Sequence, residues 1–217
     1  MRWSGIPVGV RAVLPIVVTV PLFALSFGVL ARSAGLGVAA PIVMSATTFA
    51  GSAQFAAMSI LDDGGTIAAA IVAALLLNAR YAAIGISVAS LFRGSTVRRL
   101  AEAQLIVDES WALSARPDGT FDRRILIGSG LTLYVAWVLG TVVGVIGGGF
   151  IGDPERLGLD AAFPALFLAL LIGQLRSRRA VAAALAGGGI ALVLLPWTPA
   201  GVPIVAAVAG CLVGLRR

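Results

Sequence analysis

Long apolar runs alternate with short polar segments along the whole chain. Most runs are long enough for a membrane-spanning helix, which needs about 20 apolar residues to cross the hydrocarbon core. The pattern predicts an all-α integral membrane protein, a polytopic bundle of about six or seven transmembrane helices that forms one domain over residues 1–217. The predicted spans are residues 12–31, 38–61, 66–92, 125–150, 159–175, 180–195 and 201–215.

Composition agrees with this pattern and excludes several kinds of protein. Hydrophobic residues make up 59% of the 217 residues and charged residues 12%, whereas a soluble domain has about 45–50% and about 25%. The net charge of +6 comes from arginines between the apolar runs, which favours anchoring to a membrane leaflet over nucleic-acid binding. With one cysteine and no histidine, the chain has neither an internal disulfide nor the usual ligands of a transition metal. We expect no metal and no cofactor.

The arginines also predict an orientation in the cell inner (plasma) membrane. They concentrate in residues 93–124, in residues 176–179 and at the C-terminus, and such segments usually face the cytoplasm. Seven full spans would leave the N-terminus outside. A re-entrant pair within residues 66–92 would leave it inside, and the arginines agree with both arrangements. Residues 96–113 have mixed apolar and charged positions and predict one surface helix, with Arg98 near Glu102.

The second apolar run contains polar groups at its centre, in the stretch Phe-Ala-Gly-Ser-Ala-Gln-Phe (49–55). An unpaired polar group in hydrocarbon costs several kcal/mol, so Ser52 and Gln54 need partners. Two interpretations stay open: hydrogen bonding to a closely packed helix, or a helix that opens near Gly51 to hold a ligand. On a period of 3.6 residues, Thr47, Gly51, Gln54 and Met58 line one stripe.

The third run is interrupted by Asn78-Ala-Arg-Tyr81 near its middle. A buried arginine at the centre of a span costs roughly 2.5–3.5 kcal/mol, so Arg80 should face a partner or a cavity. Asn78 and Arg80 lie about 200° apart on an ideal helix. Either the helix breaks at this point or the two side chains contact different neighbours. Arg80 also has two purely structural interpretations: it forms an ion pair, or its long side chain reaches the membrane interface by snorkelling.

Two prolines fall in the first run, and a faint repeat connects the two halves of the chain. Pro15 lies in the first turn, where it should be harmless, whereas Pro21 should kink the helix. The sequence of residues 35–41 resembles that of residues 158–164. This similarity predicts repeat units at residues 12–92 and 125–195, which would be inverted relative to each other because each contains an odd number of spans.

Five short motifs in order resemble the AzlC family, the larger subunit of branched-chain amino-acid exporters. They are Phe27-Gly28, the stretch 49–55, Asn78-Ala-Arg-Tyr81, Asp108-Glu109-Ser110, and Gly-Leu-Asp-Ala-Ala-Phe-Pro-Ala-Leu-Phe (158–167), and the resemblance extends roughly from residue 13 to residue 195. It implies a permease that exports valine, leucine and isoleucine, with methionine as a further candidate. It also implies a small membrane partner of the AzlD type.

The residues contain groups that suit a zwitterionic substrate with an apolar side chain. Free backbone N–H groups near Gly51, or Arg80 as a charged alternative, would bind the carboxylate. Free carbonyls, the side-chain oxygens of Gln54 or Asn78, or Asp160 would accept from the ammonium. The candidate substrate-binding residues are Gly51, Ser52, Gln54, Asn78, Arg80 and Tyr81. Asp160 is a candidate for proton coupling, with helix capping as its structural interpretation. We interpret Asp108 and Glu109 as part of a solvated helix face or of a subunit contact.

Other functions remain as alternatives. A channel or an assembly subunit for another small solute would have the same composition and the same polar centre. An enzyme is disfavoured, because the spans contain no histidine and no paired aspartates. The chain also has no Gly-x-x-x-x-Gly-Lys-Ser/Thr loop, so it carries no sign of ATP-driven transport.

Overall fold

A computed structural model describes residues 6–14, 16–151, 168, 171–172, 175, 177–199 and 201–215. Within those residues the regular structure is helical throughout, and the only β-type pairing is an isolated bridge between Ala115 and Phe121. The prediction of an all-α protein is therefore confirmed at the level of secondary structure. The α-helices are α1 (Ile6–Val13), α2 (Thr19–Ser33), α3 (Ala39–Thr48), α4 (Gly51–Asp62), α5 (Ile67–Asn78), α6 (Arg80–Val88), α7 (Thr96–Ala103), α8 (Asp108–Ser114), α9 (Arg123–Ile151), α10 (Arg178–Leu194), α11 (Val202–Ala207) and α12 (Cys211–Leu215), with 3₁₀ turns at Ala89–Leu91 and Val208–Gly210.

Two helices of the described residues are long and apolar enough to cross a membrane, Ile67–Leu91 and Arg123–Gly148. Shorter apolar helices occur at Thr19–Ser33, Ala39–Thr48 and Val202–Gly214. A span that is interrupted yields two helices, each below the length of a full crossing. The predicted fifth span, residues 159–175, lies largely outside the described residues, so the total of six or seven spans and the inverted repeat stay predictions.

The chain divides into two compact units. The first contains Met1–Gly51 and Ala79–Gly152, and the second contains Ser52–Asn78 and Asp153–Arg217. In the first unit α9 is the central helix, and α1, α2, α3 and α8 all pack against it. In the second unit α10 packs against α11 and α12, and α11 also contacts α5.

Glycines allow the central helix of the first unit to approach its neighbours closely. A Cβ atom on Gly144 would lie 2.1 Å from the carbonyl oxygen of Leu25, and one on Gly140 would lie 2.7 Å from the Cβ of Ala24. Any larger residue at these positions would force α2 and α9 apart. The close packing that the glycine-rich fourth run predicted is present.

The first span differs from its prediction. We expected a kink at Pro21, but one helix ends at Val13 and a new helix begins at Thr19. Pro15, which we expected to be harmless in the first turn, lies outside the described residues. Pro21 instead falls in the first turn of α2, where N–H groups have no intrahelical partner, so its missing donor costs little.

The third span is interrupted only slightly. Ala79 separates α5 from α6, but its backbone dihedrals of −56° and −28° are those of a right-handed helix. Because the backbone does not reverse at Ala79, the local geometry favours a continuous helix over a re-entrant pair. The interruption predicted at Asn78–Tyr81 is present as a local irregularity.

The predicted surface helix over residues 96–113 is wrong. The structure has two helices there, α7 and α8, joined by residues 104–107. The Ser110 hydroxyl accepts a hydrogen bond from the backbone N–H of Val107 at 2.9 Å, and Val107 is extended, so a new helix starts after it. A carbonyl of the connection also packs on α9: a Cβ on Gly130 would lie 2.1 Å from the oxygen of Leu105. Residues 104–107 therefore pack against α9 within the first unit.

Candidate functional site

The polar stretch in the second apolar run is the site of a helix break. Helix α3 ends at Thr48 and α4 begins at Gly51. Between them Phe49 has a left-handed backbone, with φ 43° and ψ 49°, and it is the only described non-glycine residue with a positive φ. Such a conformation costs of order 1–3 kcal/mol and persists only where surrounding contacts enforce it. The helix therefore breaks near Gly51, and the start of α4 also packs closely on α9. That the break holds a ligand stays a prediction.

The break changes which residues share a face. We predicted one stripe through Thr47, Gly51, Gln54 and Met58, but the left-handed residue interrupts the helical period after Thr48. Gly51, Gln54 and Met58 still share a face of α4, because that helix is continuous. Thr47 belongs to α3, and its backbone carbonyl has a separate role.

Two side chains hold the carbonyl end of α3. The hydroxyl of Tyr134 donates to the carbonyl oxygen of Ala46 at 2.8 Å. The amide of Gln104 donates to the carbonyl oxygen of Thr47 at 2.9 Å. The last carbonyls of a helix have no intrahelical donor, so these bonds replace the ones that the break removes. Neither side chain was expected from the sequence to bond the end of α3.

Aromatic rings form a wall beside the break. The ring of Phe49 packs edge-on against Tyr134, with centroids 5.1 Å apart. A Cβ on Gly51 would lie 2.7 Å from Cη2 of Trp137, so the start of α4 touches the indole directly. Trp137 in turn stacks on Phe27, with centroids 6.5 Å apart. This aromatic wall (Phe27, Phe49, Tyr134 and Trp137) supplies the contacts that enforce the strained backbone.

The wall lies at the middle of the longest helix. Trp137 is the central residue of the 29 residues of α9, about 21 Å along the axis from either end. One turn further, buried Thr141 bonds the buried hydroxyl of Ser45 at 2.8 Å. Transporter sites commonly lie near the membrane midplane, at discontinuous helices.

Ser52 and Gln54 follow Gly51 in the first turn of α4. Ser52 is 5% exposed and Gln54 is completely buried. Neither side chain is exposed at the surface, as expected for polar groups inside an apolar run.

Arg80 begins α6 and forms an ion pair. Its Nη2 lies 2.8 Å from Oδ2 of Asp108, with both side chains about one third exposed, and its guanidinium lies 5.1 Å from the ring centroid of Tyr81. Asp108 is therefore not a purely solvated residue, and its interpretation as part of a subunit contact stays a prediction. Partial burial raises the pKa of the Asp108 carboxyl above its ordinary value, against the opposing effect of Arg80. Asn78, on the other side of Ala79, has a buried Oδ1 without a hydrogen-bond partner in the described part of the chain.

Helix α8 connects this ion pair to the end of the third span. The indole N–H of Trp111 donates to the hydroxyl of Ser87 in α6 at 2.9 Å, and α8 packs on α9. The 104–114 segment therefore carries Gln104 to the broken helix and Asp108 to Arg80. The apolar residues 105–107, between two charged stretches, are the sequence signal that could have indicated its burial.

Glu102 organises the arginines at the other end of this segment. Its Oε1 accepts hydrogen bonds from Nε of Arg98 at 2.8 Å and from Nη2 of Arg123. Burial alone would raise the pKa of Glu102, but these two hydrogen bonds outweigh it and lower the pKa below its ordinary value. The predicted proximity of Arg98 and Glu102 is confirmed.

The structure thus separates the predicted site residues into groups. Gly51, Ser52 and Gln54 lie at the start of α4, while Arg80 pairs with Asp108 and lies over the ring of Tyr81. Asp160 lies outside the described residues. Within the described ranges no group of three or more histidine, cysteine, aspartate or glutamate side chains could hold a metal ion.

Comparison with known proteins identifies relatives over nearly the whole chain. The chain is 29% identical over 211 residues to a branched-chain amino acid transport protein AzlC of Bacillus subtilis, covering 92% of this chain and 83% of that protein. It is 34% identical over 202 residues to an uncharacterized membrane protein of Archaeoglobus fulgidus, covering 90% and 88%. It is 27% identical over 225 residues to the inner membrane protein YgaZ of Escherichia coli, covering 95% and 88%. No solved structure matches the chain significantly.

A family model settles the relationship. The model described as AzlC protein matches residues 15–151, more than half of the chain, and that range includes the broken helix, Arg80 and Asp108. Of the three relatives above, two are named as membrane proteins and one is named as a transport protein. The chain is a membrane protein that belongs to the AzlC family.

Proposed function

We propose that this chain is the larger subunit of a secondary transporter that exports branched-chain amino acids together with a small AzlD-type membrane partner. The substrates would be valine, leucine and isoleucine, with methionine as a further candidate. The helix break at Phe49, beside the middle of α9, is the observation that carries the proposal. The name of the Bacillus subtilis relative supports the substrate class.

The chemistry of the break suits an amino acid. The C-terminal end of α3 carries the negative end of a helix dipole, which favours the substrate ammonium, and the start of α4 carries the positive end, which favours the carboxylate. Each carbonyl oxygen has two lone pairs. The carbonyl of Thr47, which accepts from Gln104, can therefore also accept from the ammonium, whereas the carbonyl of Ala46 already accepts from both Tyr134 and Gln104. Gly51, Ser52 and Gln54 are then the carboxylate-facing residues.

The aromatic wall supplies the apolar part of the binding surface. A branched alkyl side chain gains about 25 cal/mol for each Å² of apolar surface removed from water. The rings of Phe49, Tyr134 and Trp137 would offer such surface where the break opens to substrate, since Phe49 and Trp137 are buried in the structure. The preference for branched aliphatic amino acids would follow from this wall, while the backbone groups recognise the part that all amino acids share.

Arg80 and its neighbours provide a second element of the mechanism. We assign Arg80, Tyr81 and Asn78 to the route along which the substrate carboxylate passes, and not to the site where the substrate is bound, because Arg80 is already paired with Asp108. A passing carboxylate would compete with Asp108 for the guanidinium. Asp160 stays a proposed coupling residue, as an aspartate near a predicted span.

Export requires an orientation, and the arginines support one. Residues 93–124 and the C-terminus would face the cytoplasm, so that substrate enters from the arginine-rich side. A small partner would cover apolar helix surface, and we expect the chain to be inactive without it.

An export assay tests the proposed function. Cells that lack their own exporter are loaded with a leucine-containing dipeptide, and the release of leucine is followed with the chain, with the partner, and with both. Saturable release that needs both chains is the expected result. Release that rises linearly with internal leucine would indicate a channel, and full transport by the purified chain alone in liposomes would contradict the two-component proposal.

A further inference from the structure

A partly open cavity lies in the first unit, and arginines dominate its lining. Its volume is about 370 Å³. The lining residues are Ser90, Leu91, Arg93, Arg98 and Arg123. The transport proposal uses these arginines for membrane orientation only, and the candidate substrate-binding residues do not include them.

The cavity lies at the level of the lipid headgroups. Leu91 is the last residue of one candidate membrane span, and Arg123 is the first residue of the other. A span ends where hydrocarbon gives way to headgroups, so a cavity bounded by both ends faces that layer. Arginines at such positions meet lipid phosphates.

Among the described residues, the positive charge of the cavity is only partly balanced. Arg98 and Arg123 both bond to one carboxylate oxygen of Glu102, which is 7% exposed. Arg93 has no ion pair with any residue in the described part of the chain. Three guanidinium groups against one carboxylate leave an excess of two positive charges around the opening.

Guanidinium groups in this arrangement suit a phosphate. Each presents up to five N–H donors in a planar fork that matches two phosphate oxygens. Arg98 and Arg123 are already oriented by Glu102, so their remaining donors are held in place before a ligand arrives. Arg93 is the cation left for the ligand alone.

We propose that this cavity binds an anionic phosphate headgroup, with Arg93 as its dedicated ligand and with Arg98 and Arg123 held in position by Glu102. The shared chemistry is a phosphate that carries net negative charge. Its source is either a membrane phospholipid such as phosphatidylglycerol or a free phosphate ion. The position of the cavity, at the ends of two candidate spans, favours the phospholipid.

Thermal unfolding of the purified full-length protein in a neutral detergent tests the proposal. Phosphatidylglycerol is titrated into the native protein, into Arg93→Gln and into Arg99→Gln, with phosphatidylcholine as the neutral lipid. Arg99 is an exposed arginine of α7 that does not line the cavity, so it is the matched control for the loss of one charge. Phosphatidylglycerol should raise the unfolding midpoint of the native protein and of Arg99→Gln with similar apparent affinity.

In Arg93→Gln the apparent affinity should fall about fivefold, the usual effect of one arginine near a lipid surface. Inorganic phosphate at matched ionic strength should have little effect; stabilisation equal to that by the lipid would identify a free ion as the source. Equal titration curves for Arg93→Gln and the native protein would overturn the proposal. Arg93→Lys keeps the charge and should recover most of the affinity, which separates ligand binding from a folding defect.

Discussion

The contact between Gly51 and Trp137 offers a direct test of the helix break. Gly51→Ala adds one methyl group at the start of α4, where a Cβ would lie 2.7 Å from Cη2 and 3.2 Å from both Cζ2 and Cζ3 of the indole. Ordinary carbon contacts lie at about 3.5–4.0 Å. The ring or the helix start must therefore move by about 1 Å, and the ring is held by Phe27.

The cost of this substitution follows from overpacking. One extra methyl in a well-packed site costs typically 1–3 kcal/mol, against a gain of at most about 1 kcal/mol from replacing a helical glycine by alanine. We expect Gly51→Ala to lower the unfolding free energy by about 1–2 kcal/mol. We also expect it to reduce transport, because moving the indole or the start of α4 would change the space between α3 and α4. Gly147→Ala is the control, since nothing lies within 4 Å of its added Cβ.

A double-mutant cycle makes the test specific. Trp137→Phe removes the part of the indole that holds Cη2, Cζ2 and Cζ3, so it should destabilise the protein alone and relieve the added methyl in combination. We expect an interaction free energy of about 1–2 kcal/mol, within the usual range for residues in contact. Thermal unfolding in detergent measures stability, and leucine export with the partner measures function. Additive effects of the two changes, or normal stability and export of Gly51→Ala, would refute the close contact.

The remaining predictions address other parts of the site. Tyr134→Phe keeps the ring on Phe49 but removes the shorter of two hydrogen bonds to the Ala46 carbonyl, and should lower the unfolding free energy by about 0.5–1.5 kcal/mol; an unchanged value would show that the amide of Gln104, 3.4 Å from that oxygen, suffices as its donor. Arg80→Lys should lose most transport at normal expression, because an ammonium cannot reproduce the planar fork toward Asp108 and a carboxylate; near-normal export would indicate that only charge matters. Gln54→Met should weaken the apparent affinity for all exported amino acids alike, whereas a lower amount of folded protein with unaltered affinity would make Gln54 a packing residue. In a Cys211→Ser background, Thr120→Cys should resist an impermeant thiol reagent applied outside intact cells, and labelling would reverse the proposed orientation.

Much of the helical framework could be predicted because it depends on local pattern. The apolar run at residues 125–150 predicts α9 nearly to its ends, and its glycines predict close packing on α2. Prolines were harder, since their effect depends on where the helix starts. Pro21 is tolerated because α2 begins only two residues earlier, and no pattern in the first run shows that start.

The candidate site was predicted in part. Ser52 and Gln54 indicated that something unusual lies in the second run, but not whether the helix breaks or packs. Tyr134 and Gln104, which hold the end of α3, lie 88 and 57 residues away from their partners. Side chains at that separation are brought together only by the fold, and both residues look ordinary in sequence.

The sequence alone determined that this protein is helical, membrane-embedded and polar at its centre. The bilayer sets both the length of an apolar run and the need to pair polar groups within it, and neither requirement depends on the particular fold. The tertiary structure decided that the second span breaks at Phe49. A left-handed phenylalanine is unfavourable by itself, and it is stable here because Tyr134, Trp137 and Gln104 compensate for it from distant parts of the chain. The tertiary structure likewise decided the partner of Arg80, since burial creates the need for a counter-charge and only packing selects Asp108.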